Sequence, residues 1–393
     1  MIYDYIIIGG GPTGITLSTM LANTNYKTLI LESEHSLGGN WKVDMDGKYL
    51  TEHSPKVLFS NNHYFFQLLQ IIGASQNSVH KVHGSFGNIK IMKSFQNMSF
   101  TDTLKLVQLI THYFINPKTF DYYQSVKDWA EYQNISQKGC SFLKVLSIIT
   151  SNTYDKICVG AFIEFALFDP GLFMELVYLN HPNEWIHHAH KYLSSYKNLK
   201  ILYNSHVLSI DDVQGIVRVD NGNTFVGKNI ILATPISACY NIINNSTMSL
   251  KSNWFPSMND FKHFVDMSTY LGLGFQFHFD RQVSMPSQWC WSCFHDWTVI
   301  ILEKKVNEQL ISKDPKVKCV WSCVIVDLDT KSKRLNKTVN ECDTMDEIIN
   351  EAIHQINTTR KKSIPKPYKI THHKNIARKD GKWETMNTSY ANS

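Results

Sequence analysis

Six residues, Gly9-Gly10-Gly11-Pro12-Thr13-Gly14, leave a short apolar run (Tyr5 to Ile8) and enter a helical pattern, and they dictate how this chain must begin to fold. Each glycine has its own reason to be there. Gly9 lets the chain turn sharply, Gly11 lets the backbone approach a pyrophosphate, and Gly14 lets the helix pack close to the strand, with the helix N-terminus facing negative charge. Pro12 and Thr13 complete the phosphate-facing turn. Glu32 stands 18 residues after Gly14, at the end of a second strand (Lys27 to Leu31), where a carboxylate accepts hydrogen bonds from an adenosine ribose. Leu17, Met20 and Leu21 form the apolar stripe expected to face the sheet. Strand, glycine turn, helix and acid together predict a dinucleotide-binding βαβ unit.

The segment after Glu32 narrows the dinucleotide. Gly38 and Gly39 form a second glycine pair that lets the backbone approach phosphates or a ribityl chain, and Asn40 and Trp41 follow it. A fingerprint, a glutamate and then a Gly-Gly pair resembles the flavin-containing amine oxidoreductase superfamily, which includes amine oxidases and carotenoid-type desaturases. Many of its members carry an Arg after the pair; Asn40-Trp41 takes that place here. The resemblance implies FAD as cofactor. It also likens Thr51-Glu52-His53-Ser54-Pro55 to the loop beneath the flavin ring.

A second block fits the same pattern. Leu199 to Tyr203 and His206 to Ile210 read as strands, Ile216 to Asp220 and Thr224 to Val226 flank the turn Asn221-Gly222, and Ile230-Ile231-Leu232 reads as a buried strand. In the resembling family, this order closes in Ala-Thr-Pro and completes the FAD domain. Ala233-Thr234-Pro235 stands there, and Val207 matches the residue whose backbone meets the adenine.

The expected fold class is therefore α/β: a Rossmann-like FAD-binding domain (1–62 plus 197–245) and a discontinuous α+β substrate domain (63–196 plus 246–393). The stretch from His63 to Leu193 has helical spacing, with Tyr64, Phe65, Leu68, Leu69 and Ile72, and again Leu104, Leu106, Val107, Leu109, Ile110 and Phe114. Ser125 to Asp128 and Thr344 to Glu347 are helix caps. Thr269 to Phe279, Trp297 to Leu302 and Val317 to Asp327 read as strands of a second sheet, the floor of a substrate cavity by the same resemblance.

Composition excludes several classes. With 43% hydrophobic and 19% charged residues the chain is globular, and its net charge of +5 is partly gathered in Arg360 to Arg378, which reads as a solvated face. No nucleic-acid reader module accompanies that run, so no nucleic-acid partner is expected. No stretch is long and apolar enough to span a bilayer, and the first residues already form a strand, so a cytoplasmic protein is expected. The eight cysteines need no disulfide framework in a chain of this length. Cys290/Cys293 and Cys319/Cys323 sit in aromatic, β-branched sequence without knuckle glycines, which favours packed thiols over a metal site.

The resembling family ends in a strand, a Gly-acid turn and a helix that meets the flavin. Nothing from Lys362 to Ser393 matches that segment, so either a fragment or a natural truncation is expected. No catalytic base can be assigned; His187, His188 and His190 beside Trp185 are candidates only by residue type. Three readings follow. The first is an FAD-dependent oxidoreductase moving a hydride from a small amine or polyene to flavin. The second is a flavin-dependent isomerase or mutase on the same fold, and the third a non-catalytic nucleotide-binding protein. Substrate and oligomeric state are not legible.

Overall fold

The computed structural model describes residues 1–54, 56, 58–59, 62–74, 79–85, 98–115, 123–149, 153–164, 175–179, 183–254, 257–268, 272–286, 290–304, 312–373, 376–379 and 381–385. Its strands in chain order are β1 (Ile2–Ile8), β2 (Thr28–Leu31), β3 (Asp44–Asp46), β4 (Tyr49–Thr51), β5 (Leu58–Phe59), β6 (Val79–Ser85), β7 (Glu175–Leu179), β8 (Leu199–Leu202), β9 (Val207–Asp211), β10 (Ile216–Val219), β11 (Thr224–Leu232), β12 (Leu273–Phe279), β13 (Cys290–Cys293), β14 (Val299–Lys304), β15 (Cys319–Ile325), β16 (Lys369–His372), β17 (Ile376–Lys379) and β18 (Lys382–Thr385).

The first sheet has six strands in the order β8-β2-β1-β11-β10-β9. β1 runs parallel to β2 and β11, with Ile7 opposite both Ile30 and Ile231. Ile6, Ile7 and Ile8 are all buried because both faces are covered, which is why the run is apolar without alternation. Ile6, Ile8, Leu29 and Leu31 pack with Val207, Val217 and Ile242 on one side. Ile30 packs on the other side with Ile15 of helix Pro12–Ala22 and with Trp185, Ala189 and Leu193 of helix Glu184–Ser194.

Two expectations change here. The first helix does not bury Leu17, Met20 and Leu21: its buried face is Gly14, Ile15, Ser18, Thr19 and Ala22, and Met20 is 69% exposed. Small residues win that face because the helix lies close on the strand-turn; a Cβ on Gly14 would stand 1.9 Å from the Gly9 carbonyl oxygen. The Ser18 and Thr19 hydroxyls donate to Gly14 O and Ile15 O at 2.7 and 2.8 Å, so neither is buried unsatisfied. Second, Thr224 to Leu232 is one strand, since β1 pairs with it continuously from Val226 onward, through Gly227 and Asn229. Asn221-Gly222 makes the turn as expected, with Gly222 at φ +82°.

The second sheet is antiparallel, in the order β13-β14-β15-β12-β16. Phe275, Phe277, Phe279 and Trp321 form its core with Ile348, Ile349, Ala352 and Ile356 of helix Met345–Arg360. Thr344 caps that helix, its hydroxyl accepting from Glu347 N at 3.2 Å, and Ser125 caps helix Val126–Tyr132 in the same way. Of the residues expected in the first strand of this sheet, 269–271 lie outside the described residues. In the basic run Lys361, Lys362, Lys366 and Lys369 are exposed, as expected of a solvated face, while the half-buried Arg360 donates to Ser284 O at 2.9 Å and lies 5.6 Å over the Trp321 ring.

The stretch between the two nucleotide-type blocks is not purely helical. β5, β7 and β6 make a small antiparallel sheet, with Leu58 opposite Val177. That pairing joins segments more than a hundred residues apart, so local spacing does not announce it. In helix Phe100–Ile115, Leu106 and Leu109 are buried, whereas Leu104, Val107 and Phe114 face outward, as does Tyr64 of helix His63–Ile71.

Candidate functional site

The glycine turn lies at the carboxyl ends of β1 and β11. Gly9 has φ +105°, and a Cβ there would stand 2.5 Å from the Ala233 carbonyl oxygen, while Ala233 N donates to Ile8 O at 2.8 Å. Gly9 and Gly14 are thus required by the protein's own packing. Gly11 differs: nothing lies nearer than 4.0 Å to where its Cβ would be, and that nearest atom is Gly39 Cα. The chain leaves this space open although the fold does not demand it.

The second glycine pair is brought against the first. Gly38 N donates to Gly10 O at 2.8 Å, Gly38 and Gly39 have φ +114° and +52°, and a Cβ on Gly39 would stand 3.1 Å from Gly11 Cα. Gly39, Asn40 and Trp41 form one 3-10 turn, whose Trp41 ring lies 5.1 Å from Phe65. Pro12 opens the first helix and Thr13 is exposed beside it.

Glu32 is 5% exposed and already engaged: Oε2 accepts from Gly10 N at 2.7 Å, and Oε1 accepts from Glu34 N at 2.8 Å and Ser33 Oγ at 3.2 Å. A carboxylate has about four acceptor sites, so room for a further donor remains. Asn204 N and Ser205 N donate to Glu34 O and Glu32 O at 3.1 and 2.9 Å, which brings the start of β9, and with it the buried Val207, beside the acid. The Thr234 hydroxyl, next to Gly9, is buried with no hydrogen-bond partner among the described residues. An open cradle at Gly11, an acid at its rim and an orphaned hydroxyl beside the turn fit a phosphate-bearing dinucleotide.

The second polar centre has no sequence signature beyond the weak Thr51 to Pro55 match. Loop residues Thr51, Glu52 and His53 are buried on β12: Gln276 grips the Glu52 backbone, accepting from Glu52 N at 3.2 Å and donating to Glu52 O at 2.8 Å. A Cβ on Gly274 would stand 1.8 Å from His53 O, so the loop sits directly on that strand. Glu52 pairs with Lys304 of β14 at 3.2 Å, both side chains fully withdrawn from solvent, though neither carboxylate oxygen accepts a well-aligned hydrogen bond. Thr371 and His278 both meet Leu50 O, at 2.8 and 3.1 Å, and His373 pairs with Asp44 at 3.0 Å. Burial holds His53 down to about 3, with Lys56 and His373 adding to the effect, and burial holds His278 down to about 4. Lys56, also buried, is pulled down to about 8 by its removal from water, with Glu52 opposing and Lys304 adding.

The histidines singled out by type are not part of this centre. His187 and His190 are on the exposed face of their helix, and His188 lies 3.9 Å from Glu184. Cys293, Cys319 and Cys323 are buried thiols of the second sheet's core, and burial pushes Cys319 up to about 12. Among the described residues no group of His, Cys, Asp or Glu could hold a metal, and no helix is long and apolar enough to cross a membrane.

The family of NAD(P)-binding Rossmann-like domains matches residues 7–72. The structure superposes on wild-type putrescine oxidase bound to putrescine with a TM-score of 0.62 over 94% of this chain and 84% of the other, at 11% identity. The chain shares the fold of that oxidase. Sequence similarity to curated proteins is local. It is 30% over 83 residues with a UDP-galactopyranose mutase of Mycoplasma genitalium, covering 20% of each chain. It is 32% over 79 residues with a pseudooxynicotine dehydrogenase of a Pseudomonas species, covering 18% of this chain and 16% of the other. The chain thus spans about a fifth of the length of the curated relatives it matches.

Proposed function

We propose that this protein is an FAD-dependent oxidoreductase of the amine-oxidase type, acting on a small organic amine or polyene. The observation that carries the reading is the open space at Gly11, closed on one side by Gly39 and rimmed by Glu32. Gly9, Gly11, Pro12, Thr13 and Gly14 would hold the diphosphate, Glu32 the adenosine ribose, Gly38, Gly39, Asn40 and Trp41 the chain toward the ring, and Val207 and Ala233 the adenine side and the sheet edge. When bound, FAD supplies the hydride acceptor. The protein's own residues would orient it: backbone N–H groups at the helix start would meet the phosphates, while Glu32 keeps the glycine turn in register through Gly10. Residues 1–62 with 197–245 would carry the cofactor, and the remainder the substrate side.

The test is a spectrum. Protein reconstituted with FAD should be yellow with a bound-flavin absorbance, and Gly11→Val should bind at least a hundredfold more weakly while keeping its melting temperature. Normal FAD affinity in that variant would show that the site lies elsewhere. The local match to a UDP-galactopyranose mutase favours one second reading, a flavin-dependent mutase; turnover without any electron acceptor would select it.

A further inference from the structure

Helix Glu184–Ser194 begins without a side-chain cap although a capping residue is in place. Asn183 stands where Ser125 and Thr344 stand on their helices, and both of those accept from the backbone N–H three residues on; the Asn183 side chain makes no such bond. Its two amide functions go instead to one residue 140 positions away. Oδ1 accepts from Val43 N at 2.9 Å, and Nδ2 donates to Val43 O at 2.8 Å. Asn is among the best N-caps, and an exposed side chain has water as an alternative partner. A helix start that forgoes its cap to clip a distant backbone marks Val43 as a point that has to be held.

Val43 closes the segment that carries the second glycine pair. Upstream, that segment is tied by Gly38 N to Gly10 O; Gly38 and Gly39 then take two consecutive left-handed conformations, and Trp41 N and Lys42 N donate back to Gly38 O and Gly39 O at 3.0 and 3.3 Å. Downstream, Val43 is fixed twice, its side chain packed with Leu50, Val317 and Val320 and its backbone held by Asn183. The same helix start meets the turn again at Gly38, where a Cβ would stand 2.4 Å from Ile186 Cδ1. Trp185 backs it from behind, its ring 5.3 Å from Phe65, which lies 5.1 Å from Trp41. A glycine pair has no side chains to anchor it, so its place opposite Gly11 is decided at its two ends.

We propose that Asn183 is a positioning residue of the dinucleotide site: by holding Val43 it sets where the Gly38–Trp41 turn stands against Gly11, and thereby how tightly the cofactor is held. It acts through the turn and not by contact. The identity of the ligand rests on the FAD reading above, whereas the clip on Val43 does not.

Asn183→Ser separates holding the turn from holding the helix, because serine caps equally well but is too short to reach Val43 N and O together. Two measurements on the full chain test this. In the protein without cofactor, the Val43 amide should be protected from hydrogen exchange in the wild type and exchange roughly fivefold faster or more in Asn183→Ser, at a melting temperature unchanged or raised. In titrations with FAD, that variant should bind roughly 5- to 30-fold more weakly, the effect of losing two partly exposed hydrogen bonds. Leu193→Ala, which opens a cavity at the far end of the same helix, should do the opposite: a lower melting temperature, with FAD affinity within about twofold of wild type. Unchanged Val43 exchange or wild-type FAD affinity in Asn183→Ser overturns the proposal, as does an equal loss of affinity in Leu193→Ala. A wild-type protein that binds no FAD overturns the FAD reading and the ligand assigned here with it, while Val43 exchange still decides whether Asn183 holds the turn.

Discussion

The two sheets solve the problem of burying both faces in opposite ways. The six-stranded sheet does so chiefly with aliphatic residues, Ile6, Ile7, Ile8, Leu29, Ile30 and Leu31, and gathers its charged and open polar groups in the turn beyond the strand ends. The five-stranded sheet puts polar groups within a fully buried strand: along β12, Phe275, Phe277 and Phe279 alternate with Gln276 and His278. One face makes a dry aromatic core with Trp321, and the other grips a loop from the first part of the chain. Recognition of a phosphate needs backbone N–H groups and space, which a turn provides; holding ionisable side chains at fixed charge needs burial, which a turn cannot.

Substitutions test how far this contrast goes. Gly14→Leu should abolish folding, because the new Cβ meets the Gly9 carbonyl at 1.9 Å and cannot move without parting helix from strand; recovery of soluble, cooperatively melting protein would break the account. Trp321→Ala, which empties the aromatic face, should cost about 3–5 kcal/mol in denaturant unfolding and leave nucleotide affinity near its starting value. The polar layer should reveal itself in acid. His53 and His278 are held neutral well below their unfolded values, so between pH 6.5 and about 4 the unfolded chain binds protons that the folded one refuses. Stability should therefore fall as pH drops through this window, by up to about 1.4 kcal/mol per unit for each histidine, and His278→Asn should flatten part of the slope. The smallest effect is expected for Thr344→Ala, about 1 kcal/mol from the lost cap of a helix that only covers the aromatic face.

Legibility followed the same division. The glycine fingerprint, Glu32, the Asn221-Gly222 hairpin and the two caps are local patterns, and each is found where local chemistry puts it. Local preference fails where distant contacts outrank it. An apolar stripe through Met20 lost to Gly14, Ser18 and Thr19 because only small residues let the helix approach, and β5 and β7 find each other across the intervening helices. The buried layer is out of reach for the same reason: Glu52 and Gln276 are 224 residues apart, and no local pattern links the Thr51-to-Pro55 segment to the strand that grips it. A lysine in an unremarkable loop carries no sign that it will be buried beside another.

The strand order of the first sheet also bears on how the chain is made. β1 has only β2 as a neighbour until β11 exists, and β2 lacks its outer neighbour until β8 exists. While a ribosome is still adding the middle of the chain, the earliest isoleucines therefore wait as a bare two-stranded ribbon with sticky flanks. Translation that pauses before residue 232 should expose this ribbon to chaperones, and heat-shock holdases should be found on ribosome-bound chains stalled there but not on those that have passed it.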